Sequence, residues 1–178
     1  MMFRINHYLR RFRAEETGSA SVEFVLYFTV MFFVIAAAVE MSYMNLRHAM
    51  LERSVDYAVR DIRLATGDIP SYADVKSKIC TEAAIIDECE SNLQLEMIQV
   101  DPRAFSGLNA FADCQNAAED PRPVRNFEHG QDNQLMLLRA CMKFRPMFPT
   151  TGLGQELNKD ADGYAQLIVT SAFVQEPR

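Results

Sequence analysis

Between Phe24 and Val39 the chain reads FVLYFTVMFFVIAAAV, and only Thr29 in that run is clearly polar. A run this apolar must be buried in lipid or in protein. A transmembrane helix needs about 20 residues, and Val22 on one side and Met41–Leu46 on the other extend the run to a span of about 22–44. No Gly or Pro occurs between Gly18 and Gly67. The simplest prediction is one long helix from about Ser21 to Thr66, stopped by Gly67. Its second half changes character. Leu51, Val55, Ala58, Ile62 and Ala65 recur at three- and four-residue steps, with Arg47, Glu52, Arg53, Arg60, Asp61 and Arg63 between them. That is the apolar stripe of a water-exposed helix that needs a partner surface.

Charge divides the chain in the same place. The whole sequence has 18 basic and 24 acidic residues, a formal charge of -6. The first 18 residues hold four of the basic ones (Arg4, Arg10, Arg11, Arg13) and two of the acidic ones (Glu15, Glu16). The remainder is left with 14 basic against 22 acidic residues, a formal -8. A basic start, an apolar block and an acidic body are the layout of an exported protein. By the positive-inside rule the arginines stay cytoplasmic and the body crosses. The acidic balance argues against a nucleic-acid partner, which calls for a basic face.

Beyond the long helix the period changes. Ser71 with Asp74 forms a capping-box pattern, and Val75, Ile79, Ala83 and Ile86 give a second helix a stripe that ends near Glu88. The stretch Leu93 to Val100 then alternates apolar and polar for most of its length, as a strand does. Gln134 to Phe144 and Tyr164 to Val174 also read as strands. Asp101 to Asn133 holds Pro102, Gly107, Pro121 and Pro123 and reads as a long loop. Residues 146 to 163 form another loop, with one helical turn around Leu153 to Leu157. Strands after helices predict an α+β fold, with an antiparallel sheet of about three strands packed on the helix stripe. The division is then 1–18 as a basic leader, 19–67 as the long helix and 68–178 as the α+β head.

All four cysteines (Cys80, Cys89, Cys114, Cys141) follow the apolar block. None forms a CxxC pair and no histidine clusters with them, so a zinc site fits poorly. An even count on the exported side reads as two disulfides. Of three possible pairings, Cys80–Cys89 and Cys114–Cys141 are favoured because each closes a local loop; four free buried thiols are the alternative. No GxSxG, P-loop, HExxH or GxGxxG is present. The two glycines of TGLGQEL lack the strand-to-helix setting of a phosphate site, and His129 in FEHGQD reads as a solvated loop histidine. The residues call for no catalytic group, metal, cofactor or small-molecule substrate.

Two carboxylates bracket the block. Glu40 closes it and reads as the outer membrane–water boundary. Glu23 opens it, and its setting is more specific: a basic leader, Gly18, four residues (Ser-Ala-Ser-Val), then Glu23-Phe24 and the apolar run. This resembles the prepilin-like leader of the Flp/Tad class. With Glu40 at the end of the block and a helix reaching YAVRDIRLATG (Tyr57 to Gly67), residues 15 to 67 resemble TadE-like minor pseudopilins. The resemblance implies a pilin-like subunit cut by a prepilin peptidase between Gly18 and Ser19. Glu23 becomes the fifth mature residue, an assembly carboxylate that meets the new α-amine of a neighbouring subunit. It also implies a single-pass protein of the bacterial inner membrane, N-terminus cytoplasmic and head periplasmic. Its partners would be the bilayer, other Tad pilus subunits and inner-membrane platform proteins. Other readings of the same residues are a pseudopilin of a type II-like secretion system, an uncleaved signal-anchored periplasmic binding or sensor domain, and a periplasmic enzyme.

Overall fold

The computed structural model describes residues 19–65, 69–104, 112, 114–115, 126–150 and 152–177. The basic leader, Gly18, Gly67 and the prolines at 121 and 123 lie outside the described residues. The element order is α1 (Ser19–Leu64), α2 (Tyr72–Glu82), α3 (Cys89–Asn92), β1 (Gln94–Gln99), β2 (Leu135–Phe144), α4 (Gly152–Glu156) and β3 (Ala165–Val174). Two compact units result, one ending at Val39 and one beginning at Glu40.

In the first unit α1 is apolar on every side. Its large apolar residues from Val22 to Val39 are 47% to 69% exposed, so the chain itself provides no core for them. Such a helix belongs in lipid or against other apolar helices. Thr29 Oγ1 donates to the Val25 carbonyl at 2.7 Å, so the one clearly polar side chain of the block is satisfied within its own helix. By length and composition the helix can cross a membrane.

The second unit is the α+β fold that the periodicity predicts. Leu51, Val55, Ala58 and Ile62 of α1 are buried, and the charged residues named between them, from Glu52 to Arg63, face out. Ala65 falls just past the helix and is only half-buried. The sheet is antiparallel in the order β1-β2-β3. Its registers place Leu95 opposite Ala140, Met97 opposite Leu138, Ala140 opposite Val169 and Met142 opposite Leu167. These residues belong to the buried cluster that also holds the α1 stripe. The period-2 pattern and the helix stripe thus meet in one core.

The end of α1 and the start of α2 are each satisfied by side chains. Gln175 is buried, and its Nε2 donates to the Ile62 carbonyl at 3.2 Å, satisfying a group that the end of α1 leaves open. At the start of α2, Ser71 and Asp74 form the predicted capping box. The Ser71 hydroxyl, and then its backbone N–H, hold the Asp74 carboxyl below the usual range. The second helix is shorter than predicted: it ends at Glu82, not near Glu88. Cys80 pairs with Cys89 across a Cα–Cα distance of 5.5 Å. A continuous helix would separate those residues by roughly 13 Å, so the bridge requires the chain to turn. It does so through Ala83 to Glu88, where Glu88 takes a left-handed φ of 52°. Ile86 remains in the core without being helical.

The region after β1 holds structure that the sequence does not announce. The Met97 N–H donates to the Asn126 carbonyl at 2.8 Å, and the Glu128 N–H donates to the Met97 carbonyl at 2.9 Å. A short parallel bridge therefore covers the outer edge of β1 at Phe127. Covered edges suppress unwanted pairing. Phe127 also meets the Tyr72 ring edge-on at 5.3 Å. Burial pushes the Tyr72 phenol up, although the hydrogen bond from the Leu95 N–H works the other way.

Candidate functional site

Glu23 lies in the second turn of α1, four residues after the helix begins at Ser19. It is exposed. No hydrogen bond or ion pair engages it among the described residues. Phe24 beside it is 64% exposed and starts a stack along one helix face, with ring centroids 5.5 Å apart to Phe28 and 6.4 Å from Phe28 to Phe32. This i, i+4 ladder follows from helical spacing. The unit therefore presents a lone carboxylate at the head of an apolar, aromatic surface. Such a group favours a cationic partner when the surface is covered. The scissile bond expected after Gly18 involves a residue outside the described set.

Glu40 is placed very differently, and its partners could not be read from the sequence. It is 2% exposed. Its Oε1 accepts from the Met147 N–H at 2.8 Å and its Oε2 from the Phe148 N–H at 2.9 Å. Both carboxylate oxygens thus hold one loop, more than a hundred residues away in sequence. The back of that loop is braced as well. A Cβ on Gly154 would collide with the Phe148 carbonyl, so only glycine allows α4 to approach this closely. Lys159 Nζ donates to the Pro149 carbonyl at 2.7 Å and to the Gly154 carbonyl at 2.5 Å. Two adjacent backbone N–H groups bound by one carboxylate give a strong charge-assisted contact.

The cysteines pair as Cys80–Cys89 and Cys114–Cys141. The second bridge ties residues 114–115 to the face of β2 that points away from the helix core. On that same face Glu96 and Arg139, partners in the strand register, form a buried ion pair. Arg139 Nε donates to Glu96 Oε2 at 2.7 Å, and Nη2 bonds the same oxygen. The one-sided pattern of β1 and β2 did not announce this second buried layer. His129 is exposed and lies edge-on to Phe127 at 5.5 Å. Among the described residues no three His, Cys, Asp or Glu side chains come together as a metal set.

No curated protein and no solved structure matches the chain. The family model of TadE-like proteins matches residues 18–60. The matched stretch begins at Gly18 and takes in Glu23, the whole apolar run, Glu40 and the first part of the core-facing stripe. Over residues 18–60 the chain is therefore similar to the TadE-like family, and this segment carries both the exposed carboxylate at 23 and the buried one at 40.

Proposed function

We propose that this chain is a minor pseudopilin of the tight-adherence (Flp) pilus machinery, a structural and assembly component without catalytic activity. The observation that carries the proposal is the TadE-like match beginning at Gly18, on a helix that exposes Glu23 and an all-round apolar surface. The TadE-like family is one of pilus structural components rather than of known enzymes. In this account a prepilin peptidase cuts between Gly18 and Ser19. A glycine there lets the protease approach the backbone closely. The apolar run then anchors the protein in the inner membrane with the second unit in the periplasm. When the helix packs against those of other pilus subunits, the new α-amine enters an apolar setting. A carboxylate on a neighbouring subunit offsets the cost of that buried ion, and in this reading Glu23 supplies it.

Assembly and folding are separable at Glu23. Glu23 is exposed and makes no hydrogen bond or ion pair among the described residues, so Glu23→Ala is expected to leave thermal stability and leader processing unchanged. Incorporation into the pilus apparatus should fall on the order of tenfold or more, because breaking a buried pair costs about 3–5 kcal/mol. Co-purification of the tagged variant with other Tad components measures this. Normal incorporation of Glu23→Ala would remove the role proposed for the carboxylate.

A further inference from the structure

Loop residues 145–149 read Arg-Pro-Met-Phe-Pro. Glu40 binds this loop through the Met147 and Phe148 N–H groups, and Glu40 directly follows the apolar run. The loop is therefore tied to the first residue of the second unit. Met147 is half exposed there, with no core of its own to fill. About 20 residues cross the hydrocarbon layer, so a span starting at Val22 ends near Met41. The headgroup layer adds roughly 5–8 Å on each side, or about three to five more helical residues. That brings the next basic side chain of α1, Arg47, to headgroup level.

Arg47 does not stand alone. It shares a cavity of about 220 Å³ with Lys143, Arg145, Tyr164 and Asn92, and with the carboxylates of Asp87 and Glu88. Aromatic rings hold both arginines in place: Arg47 lies over Tyr43 at 4.2 Å and Arg145 over Tyr164 at 4.6 Å. Neither is well neutralised. Arg47 reaches Asp87 only at 3.9 Å, and that carboxylate is 85% exposed. Arg47 Nε has no hydrogen-bond acceptor among the described residues. Arg145 has no ion-pair partner among them, while Lys143 is taken by Asp160 at 3.1 Å. Two guanidiniums held against aromatic rings in a chain of net charge -6 are the kind of donor that a phosphate-type anion calls for.

We infer that this cavity and the Met147 loop together hold the headgroup of an anionic phospholipid in the leaflet beside Glu40. Arg47 and Arg145 take the phosphate and Met147 enters the interface. The inference rests on the membrane-spanning part of the proposed function and is independent of the assignment to a pilus. A lipid held there contacts the second unit through Arg47, Arg145 and Met147.

The test uses the full chain in lipid nanodiscs of phosphatidylcholine, with and without phosphatidylglycerol. Native mass spectrometry after release into detergent is expected to find phosphatidylglycerol retained by the wild type. In Arg47→Gln/Arg145→Gln retention should drop about fivefold per arginine removed, the usual worth of one basic residue near an anionic surface. The chain has no tryptophan, so Met147→Trp supplies a single fluorescent reporter. Its emission should shift to the blue and be quenched by brominated acyl chains. Equal lipid retention by the double variant, or a Met147→Trp reporter quenched only from water, would overturn the inference. So would soluble glycerol phosphate binding the detergent-held protein as tightly as the lipid does. A chain that enters nanodiscs yet fails these tests contradicts only this inference; one that does not enter them contradicts the membrane span as well.

Discussion

Arg139→Met is expected to lower the stability of the second unit by about 3–5 kcal/mol, the usual cost of removing one partner from a buried ion pair. Arg139 and Glu96 are 7% and 9% exposed and face each other across β1 and β2. Methionine fills much of the arginine volume, so the loss is electrostatic rather than a cavity effect. Glu96 is left without its guanidinium, and water reaches it poorly. Replacing both residues, as Glu96→Leu with Arg139→Met, should restore most of the stability, since an apolar pair of similar size is often no worse than a buried ion pair. Chemical denaturation of the three variants in detergent measures the cycle. A single variant within about 0.5 kcal/mol of wild type, the range of ordinary surface changes, would show that the pair is solvated.

Glu40→Ala should cost about 2–4 kcal/mol, because it leaves the N–H groups of Met147 and Phe148 without an acceptor in a partly buried site. The loop should then loosen before the rest of the unit does. Hydrogen exchange at Met147 and Phe148 is expected to rise by at least about tenfold, the equivalent of losing roughly 1.4 kcal/mol of local protection. Exchange in β2 and β3 should change only as far as global stability changes. Unaltered protection of the two amides would mean that the loop is held by Gly154 and Lys159 alone. The contrast with Glu23 is the useful one. One carboxylate belongs to the fold of its own chain, and the other waits for something outside it.

The sequence made the architecture readable where its pattern was periodic. The α1 stripe, the three strands and the Ser71–Asp74 cap each follow from local spacing, and the structure has them within about two residues at each end. It was less readable where two local signals competed. The apolar steps from Val75 to Ile86 continue a helical pattern, and they predict a helix to Glu88. Pairing Cys80 with Cys89 is incompatible with that helix, because nine helical residues overshoot the reach of a disulfide. The two expectations could have been tested against each other from spacing alone. Long-range polar contacts had no signal to read. Nothing near Glu40 in sequence marks Met147 and Phe148 as its partners. Nothing in the alternation of β2 marks Arg139 as buried, since an arginine on the face away from the core ordinarily meets water. Glu40 read as a membrane boundary because it closes an apolar run. Its carboxylate has a structural task, holding the Met147–Phe148 loop.

Cleavage of the bond after Gly18 is what makes the chain a processed pseudopilin. Intact mass and N-terminal sequencing of the membrane-extracted protein from its own host, with and without the prepilin peptidase, test it directly. The expected result is a chain that starts at Ser19 when the peptidase is present and retains its leader when it is not. An intact leader in both strains would contradict the account, leaving an uncleaved membrane anchor in which Gly18 and Glu23 have no part in pilus assembly.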